Sequence, residues 1–527
     1  MKLKNIIYTT TLTAVMMAAV TGCSKKKLDI NANPDDVTDV SVTPSVLLPG
    51  ALQATTTNIA AEYWFLEWWL GHGARSGSYQ SFNEEETYRF TNDFHAGIWN
   101  GLYANANNYQ IMINKAEALG QGTYEAIGRI MKSHNFQILT DIYGNIPYSD
   151  AFKGTAVATP KYDKAVDIYN GIFADLDAAS VLLKSTTATD PAKNPDIETA
   201  DLVFGGNTVL WRKFANTLRL RMLVHLHNGV SATTVAPGID VAAQVQKIVT
   251  DSAGFLGVGE SVQINPGFTG TKPQPYFRVW NTNESGTSSQ RDWARASEYA
   301  IGYYEWTADP RINRFYVAPA GGHNGIPFGT PSGGSAPAGD ALSTVRGPGY
   351  SPGGANSRAW IMTSAESFFL QAEARQRGVL AGGPTAASLL ASGMSESFSW
   401  LGLTAAQLSA YNSFNAGYPD CDITAAPLGA GLPGGGLYTI LSQKWFALNM
   451  IAPYELWTDY RRTAIEYGTG GGYDPGPTIS VDPGVTAGAK IPVRLFYPQN
   501  EYNYNAANVA AEGTINVTTS RIFWDLN

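Results

Sequence analysis

Cysteine is almost absent: Cys23 and Cys421 are the only two in 527 residues. At most one intrachain disulfide could form, and none if Cys23 is otherwise engaged. Cys421 sits in Pro419-Asp420-Cys421-Asp422, where flanking carboxylates disfavour a thiolate, so it reads as a structural thiol. Charge is also scarce, at 15% of residues, and the net charge is −8. Removal of a leader whose only charges are Lys2 and Lys4 makes the chain more acidic still, which excludes nucleic acid as a partner, because polyphosphates are held by basic patches. The histidines His72, His95, His134, His225, His227 and His323 include no i, i+4 pair that would place two imidazoles on one helix face, so no metal-ligand residue and no cofactor are assigned, and calcium is left open because oxygen ligands from loops have no readable spacing outside an EF-hand pattern. His134 and His225 share helix faces with Ile and Met and read as core residues.

Enzyme motifs are missing in substance. Gly349-Tyr350-Ser351-Pro352-Gly353 matches the G-x-S-x-G string, but the residue after the serine must donate its backbone N–H to the oxyanion hole, and Pro352 has none. Gly429-Ala430-Gly431-Leu432-Pro433-Gly434 matches G-x-G-x-x-G, yet Thr424-Ala425-Ala426-Pro427 before it is no buried strand, so a loop is expected. Arg461 and Arg462 beside Asp459 read as a structural ion pair at a helix end. No catalytic residue is assigned.

What the chain has is length and aromatics. At 527 residues it exceeds the roughly 250–300 at which single cores stop growing, so subdomains are expected. Trp, Tyr and Phe reach 12%, which is unlike a disordered chain. At the N-terminus, Lys2 and Lys4 precede an uncharged run from Ile6 to Val20. This is too short for a confident span and right for a signal-peptide core, making 1–22 the expected leader. Val20-Thr21-Gly22-Cys23 resembles a bacterial lipobox, with Cys23 as the lipid attachment site. Several acyl chains, at ~0.8 kcal/mol per buried CH₂, would make that anchor effectively permanent. Residues 23–43 read as a tether.

Amphipathic helices follow. Residues 51–70 are dense in aromatics, and 96–119 carry a stripe of Ile98, Leu102, Tyr109, Met112, Ile113 and Ala116. The central stretch 124–228 predicts three helices, the first with Ile127, Ile130, Met131, His134, Ile138 and Ile142 on one face, ending at Gly144 before Pro147. The second follows Pro160, and the third runs through Trp211, Phe214, Leu218 and Met222. Residues 241–250 suggest a short helix and 293–307 another. From Ala318 to Asn356 Gly, Pro and Ser dominate, as in a functional loop or a disordered segment. Helices resume at 359–374, 440–448 and 455–463.

Thr140-Asp141-Ile142-Tyr143-Gly144-Asn145-Ile146-Pro147-Tyr148-Ser149-Asp150-Ala151, Pro160-Lys161-Tyr162-Asp163, Trp211-Arg212-Lys213-Phe214-Ala215-Asn216, Asp309-Pro310-Arg311, Ala359 to Ala374, Glu455-Leu456-Trp457-Thr458-Asp459-Tyr460-Arg461-Arg462 and Ile491 to Pro498 resemble, in order, the signatures of the SusD/RagB family. The resemblance spans essentially residues 23–527. It implies a mainly α fold of tetratricopeptide-like helix pairs forming a right-handed scaffold with little β, helical over 44–230 and 357–467 and loop-rich over 231–356 and 468–527. It further implies a lipid-anchored protein of the outer membrane, facing the cell surface, that captures an oligomeric ligand and delivers it to a SusC-like TonB-dependent transporter. One departure is that Lys25-Lys26-Lys27 follow the cysteine where surface-bound members often carry acids.

A glycan is the expected ligand, with aromatic rings burying the apolar faces of sugars. Peptide binding within the family and a surface glycoside hydrolase are the alternatives, along with a purely structural lid. The loops 71–90 and 270–295 are non-periodic, and the run Glu84-Glu85-Glu86 marks the first as too polar to be buried. Aromatics there have no helical stripe to explain them, so Trp69, Tyr79, Trp280 and Trp293 are the candidate ligand-binding residues.

Overall fold

The stripe read in 124–142 belongs to a helix spanning Gly122–Tyr143. The computed structural model describes residues 42–526 apart from 80–82, 189, 230–233, 282–290, 334–336, 338, 428–433, 468–478 and 486–489. The leader, Cys23, nearly all of the tether, and most of the Gly429–Gly434 motif therefore lie outside the described residues.

The principal elements are α1 (Pro44–Glu62), α2 (Trp64–Trp69), β1 (Gly73–Arg75), α3 (Ala96–Leu119), α4 (Gly122–Tyr143), α5 (Ala165–Lys184), α6 (Thr208–His225), β2 (Val262–Ile264), β3 (Ala294–Ala296), α7 (Glu298–Trp306), β4 (Ala359–Met362), α8 (Ser364–Gln376), α9 (Ala386–Trp400), α10 (Ala405–Phe414), α11 (Leu437–Leu448) and α12 (Pro453–Tyr467). The protein is mainly helical. Consecutive helices pack in series, α3 on α4, α4 on α5 and α5 on α6, while α8 packs on α9, α11 and α6. That last contact joins the two helical segments. One apolar core runs from Leu48 to Trp524, and a second cluster, including Phe369, Leu390, Phe398 and Ile440, fills the space among α8, α9 and α11. Residues from Pro44 onward form one compact unit.

Two expectations are corrected by non-local strand pairing. The start of the helix expected at 293–307 is β3, antiparallel to β1 with Arg75 opposite Ala294 and Gly73 opposite Ala296. The first residues of the helix expected at 359–374 are β4, paired with β2. In both cases the ladder partner lies far away in sequence, and the backbone hydrogen bonds it supplies outweigh local helical spacing.

The loop after α4 shows why its signature has those residues. Gly144 takes φ +77°, a conformation that other residues rarely adopt. The Asp163 carboxylate accepts from the Tyr148 and Ser149 amides at 3.0 and 2.7 Å, and the Asn145 side-chain oxygen accepts from the Ala165 amide at 2.8 Å. The loop is thereby stapled to the start of α5. Asp141 is the hub beneath it, accepting from Tyr169 Oη at 2.5 Å and Trp524 Nε1 at 2.7 Å.

A buried ion network extends from this hub. His225 lies between Asp141 (3.2 Å) and Glu455 (3.0 Å). Glu455 also meets Lys444 at 2.7 Å, and Lys444 meets Asp459 at 3.0 Å. Arg462 bridges Asp459 and Glu373, Arg377 pairs with Glu373, and Arg221 pairs with Glu366. Each acid has a base, as burial of charge requires. His134 and His225 are both core residues, as expected.

Candidate functional site

The two loops singled out as ligand-binding are brought together by the β1–β3 ladder. Gly73 allows this, because a Cβ there would stand 1.8 Å from the Trp68 ring. The ladder continues where the Ser76 amide donates to the Trp293 carbonyl at 2.7 Å. Arg75, buried, clamps the loop: Nε donates to Glu86 Oε1 at 3.0 Å, Nη1 to the carbonyls of Ser76 and Tyr79, and Nη2 to the Thr330 carbonyl at 2.8 Å. A third segment joins through Gly339, whose amide donates to Ser78 Oγ at 3.1 Å and whose carbonyl accepts from Arg295 Nε at 2.7 Å.

The Glu84–Glu86 run is not an exposed loop. It lies on a short helix, Asn83–Thr87, and Glu85 and Glu86 are buried. The physical reason is Arg75, whose buried guanidinium needs an anion and finds Glu86. Burial pushes the Glu86 carboxyl up to about 7 despite Arg75, with Glu85 and Asp482 adding to the rise.

The four predicted aromatics divide. Tyr79 is 40% exposed, and Trp293 is half-buried. Trp69 and Trp280 are 0% and 1% exposed, so the expectation that they stand on the surface is corrected. Trp69 packs among Phe65, Phe90, Phe94 and Trp457, with its N–H on the Glu85 carbonyl. Trp280 lies beside Tyr276 and donates to the Ala60 carbonyl at 3.0 Å. Trp280 and Trp293 come together, 6.4 Å apart, whereas Trp69 belongs to the neighbouring cluster.

A ring array that sequence reading passed over begins at the end of β3. On α7, Tyr299, Tyr303 and Trp306 fall at i, i+4 and i+7 and form one row, with ring centroids 5.0 Å apart for the first pair and 6.1 Å for the second. Trp306 then meets Tyr418 edge-on at 5.3 Å and 78°. Trp306 is 48% exposed and Tyr418 37%. The array is held from behind: Trp445 contacts Tyr299 and Tyr303 and donates to the Leu70 carbonyl at 3.0 Å. Asn415, buried, donates to the carbonyls of Thr307 and Tyr411, each at 2.8 Å, fixing the loop of Tyr418 to the end of α7. Glu298 and Glu305 are exposed on the same helix. Rings fixed by packing, edged by carboxylates that accept hydrogen bonds, suit a ligand with apolar faces and hydroxyl rims.

The signal for Trp306 was present in the sequence. The buried stripe of α7 is Ala300, Ile301 and Tyr304, and Trp306 lies about 200° around the helix from Tyr304. A separate groove of about 600 Å³ is lined by Asp190, Asn194, Asp196, Glu198 and Asn207 among others, without an aromatic ring. Among the described residues no cluster of His, Cys, Asp and Glu could hold a metal. No described helix is long and apolar enough to cross a membrane. Ser351 of the G-x-S-x-G string is buried, between the turn at Gly349 and a short 3-10 helix at Gly354–Asn356, with neither a strand before it nor an α-helix directly after it. Cys421 hydrogen-bonds Tyr411 Oη at 3.1 Å, and burial pushes its thiol up to about 12.

The fold is thus a mainly helical scaffold that presents fixed aromatic rings at its surface. Residues 36–498 match the SusD-like family, described as starch-binding and associating with the outer membrane. The chain belongs to that family. Among solved structures, a chitin-binding protein is 23% identical with a TM-score of 0.67, the match covering 92% of this chain and 100% of that one. A chitin-binding SusD homologue from Flavobacterium johnsoniae is 22% identical with a TM-score of 0.67, covering 91% and 99%. A SusD homologue from Bacteroides fragilis is 21% identical with a TM-score of 0.68, covering 92% and 99%. At these identities the structures establish a shared fold. A search of curated protein sequences finds no significant match.

Proposed function

We propose that this protein is a non-enzymatic, lipid-anchored glycan-binding protein of the outer membrane that captures an oligosaccharide and passes it to a SusC-like TonB-dependent transporter. The observation that carries the reading is Trp306, a large apolar ring left half in water yet fixed between Tyr303 and Tyr418. A tryptophan held open in this way is already ordered, so a sugar stacking on it incurs little further entropy loss. Tyr79 and Trp293 extend the contact surface along the β1–β3 edge, and Glu298 and Glu305 accept from hydroxyls. Two relatives of this fold bind chitin, which makes chitin oligosaccharides the first ligands to try.

Calorimetric titration with chitin, starch and xylan oligosaccharides and with unrelated peptides tests the reading, followed by chromatography of the same oligosaccharides after prolonged incubation. Saturable binding of one glycan that remains intact is expected. Shortened products identify a hydrolase, and binding confined to peptides identifies the other ligand class.

A further inference from the structure

Where β1, β3 and the segment of Gly339 meet, a cation taken almost wholly out of water has no anion. Arg295 is 7% exposed and lies opposite Ala74 in the β1–β3 ladder. Its Nε donates to the Gly339 carbonyl at 2.7 Å, and Nη1 donates to the carbonyls of Asp292 and Ala294. That leaves the two hydrogens of Nη2, for which the described residues supply no acceptor. The Asp292 carboxylate pairs with Arg346 instead, at 3.4 Å, and Asp340 is exposed. Burial, with Arg346 adding to it, holds the Arg295 guanidinium below its ordinary value, and Asp292, Tyr79 and Asp340 do not reverse this. Two hydroxyls adjoin it. Ser76 Oγ accepts from the Ser78 amide at 3.3 Å, and Ser78 Oγ accepts from the Gly339 amide at 3.1 Å, so each serine keeps its hydrogen to donate. The space that a side chain at residue 339 would take is edged by Arg295 Nη2 and Ser76 Oγ, each 3.0 Å from where a Cβ would stand. Gly339 is half-buried and Ser78 and Tyr79 are exposed, which opens this space to the surface.

We propose that Arg295, Ser76, Ser78 and the open side of Gly339 form an oxyanion pocket that takes a carboxylate or sulfate substituent of the captured glycan. The proposal rests on the glycan-binding reading above and narrows its ligand to acidic chains. A guanidinium arm and two hydroxyl hydrogens are all donors, so a group that only accepts and carries negative charge satisfies them together. A neutral acetamido or hydroxyl oxygen can accept one of these bonds, but it leaves the buried charge of Arg295 without a counterion. The donors are already ordered: three backbone carbonyls hold the guanidinium, and two backbone amides hold the serines, so little further entropy is lost on binding. Asp292 and Asp340 oppose an incoming anion and Arg346 favours it. Exposed Asp340 acts through solvent and is screened, whereas the pocket donors act at contact distance. The Tyr79 amide donates to the Ser76 carbonyl at 3.1 Å, which sets the exposed Tyr79 ring in the same turn, so a sugar lying on that ring has its substituents beside the pocket.

Calorimetric titration of two matched pairs tests this: hexagalacturonate against its methyl ester, and 6-O-sulfated chitin hexasaccharide against chitin hexasaccharide. Wild type should hold the charged member of at least one pair about tenfold more tightly at low salt, and the preference should shrink as salt is raised. The pair that shows it assigns the substituent as carboxylate or sulfate. Gly339→Val, whose Cβ alone would stand 3.0 Å from Arg295 Nη2 and Ser76 Oγ, should remove the preference while the neutral member keeps its affinity. Arg295→Gln should do the same. Melting temperatures report whether each variant is folded, and Gly339→Val, which keeps the carbonyl contacts of Arg295, decides the matter if Arg295→Gln is not. Equal affinity within both pairs overturns the pocket and leaves the glycan-binding reading standing. A preference that survives in folded Gly339→Val also overturns it, because the charge is then read elsewhere. If neither charged probe binds while a neutral glycan does, the pocket falls alone. Failure of every glycan overturns both readings.

Discussion

Replacing His225 by glutamine tests the buried ion network that ties α4, α6 and α12 together. The imidazole is fully buried, with Nδ1 3.2 Å from Asp141 and Nε2 3.0 Å from Glu455. Burial alone would push it down, but Glu455 and Asp141 more than reverse this and hold it above its ordinary value. Glutamine leaves two buried carboxylates without the cation between them, for which a loss of about 3–5 kcal/mol is expected. The pH dependence has a definite sign. A base whose folded pKa is raised contributes stability that is fully present below about pH 6.5, its unfolded value, and is lost as pH rises through the folded value at about 1.4 kcal/mol per unit. Urea midpoints of wild type and His225→Gln measured from pH 5 to 9 should show a constant gap up to about pH 6.5 that narrows above it. A gap under about 1 kcal/mol at pH 6, or one that widens with pH, refutes the charged-histidine account.

Glu86→Gln should act in the same direction of pH by a different route. Because burial raises Glu86 to about 7, the unfolded chain loses its proton first and wild type loses roughly 3 kcal/mol between about pH 4.5 and 7; the variant should lack that slope, and parallel denaturation profiles contradict it. Cys23→Ser should abolish labelling by a fatty-acid analogue and release the protein from the membrane fraction, whereas equal labelling of both forms ends the lipoprotein reading. Affinity purification from the native membrane should recover a large β-barrel protein with this chain; repeated recovery of the chain alone counts against the transporter partnership.

Helices were legible wherever the stripe was local. The helix expected at 96–119 spans Ala96–Leu119, and the one ending at Gly144 spans Gly122–Tyr143. Their apolar periods need only a neighbour to cover them, and the next helix supplies it. The strands at 294–296 and 359–362 were not legible, since their partners are residues 73–75 and 262–264. The same non-locality misled the site. Trp69 and Trp280 fall off any stripe, but distant elements cover them: Trp457 from α12 packs on Trp69, and the Ala60 carbonyl of α1 takes the Trp280 N–H. Burial of Glu86 likewise depends on Arg75. Trp306 was overlooked because only the rings of the loops 71–90 and 270–295 were weighed as candidates, although its angle on α7 points away from Ala300, Ile301 and Tyr304.

The capture surface itself is tested most directly by Trp306→Ala set beside Trp445→Ala, each titrated with the glycan found to bind wild type and each melted. Trp306→Ala should lose about 1–3 kcal/mol of affinity with its melting temperature near wild type, because an exposed stacking contact is removed and little packing goes with it. Trp445→Ala, which empties a core position behind the strip, should instead lose roughly 3–5 kcal/mol of stability. Unchanged affinity in a folded Trp306→Ala protein would contradict the assignment of this aromatic strip as the place where the ligand is held.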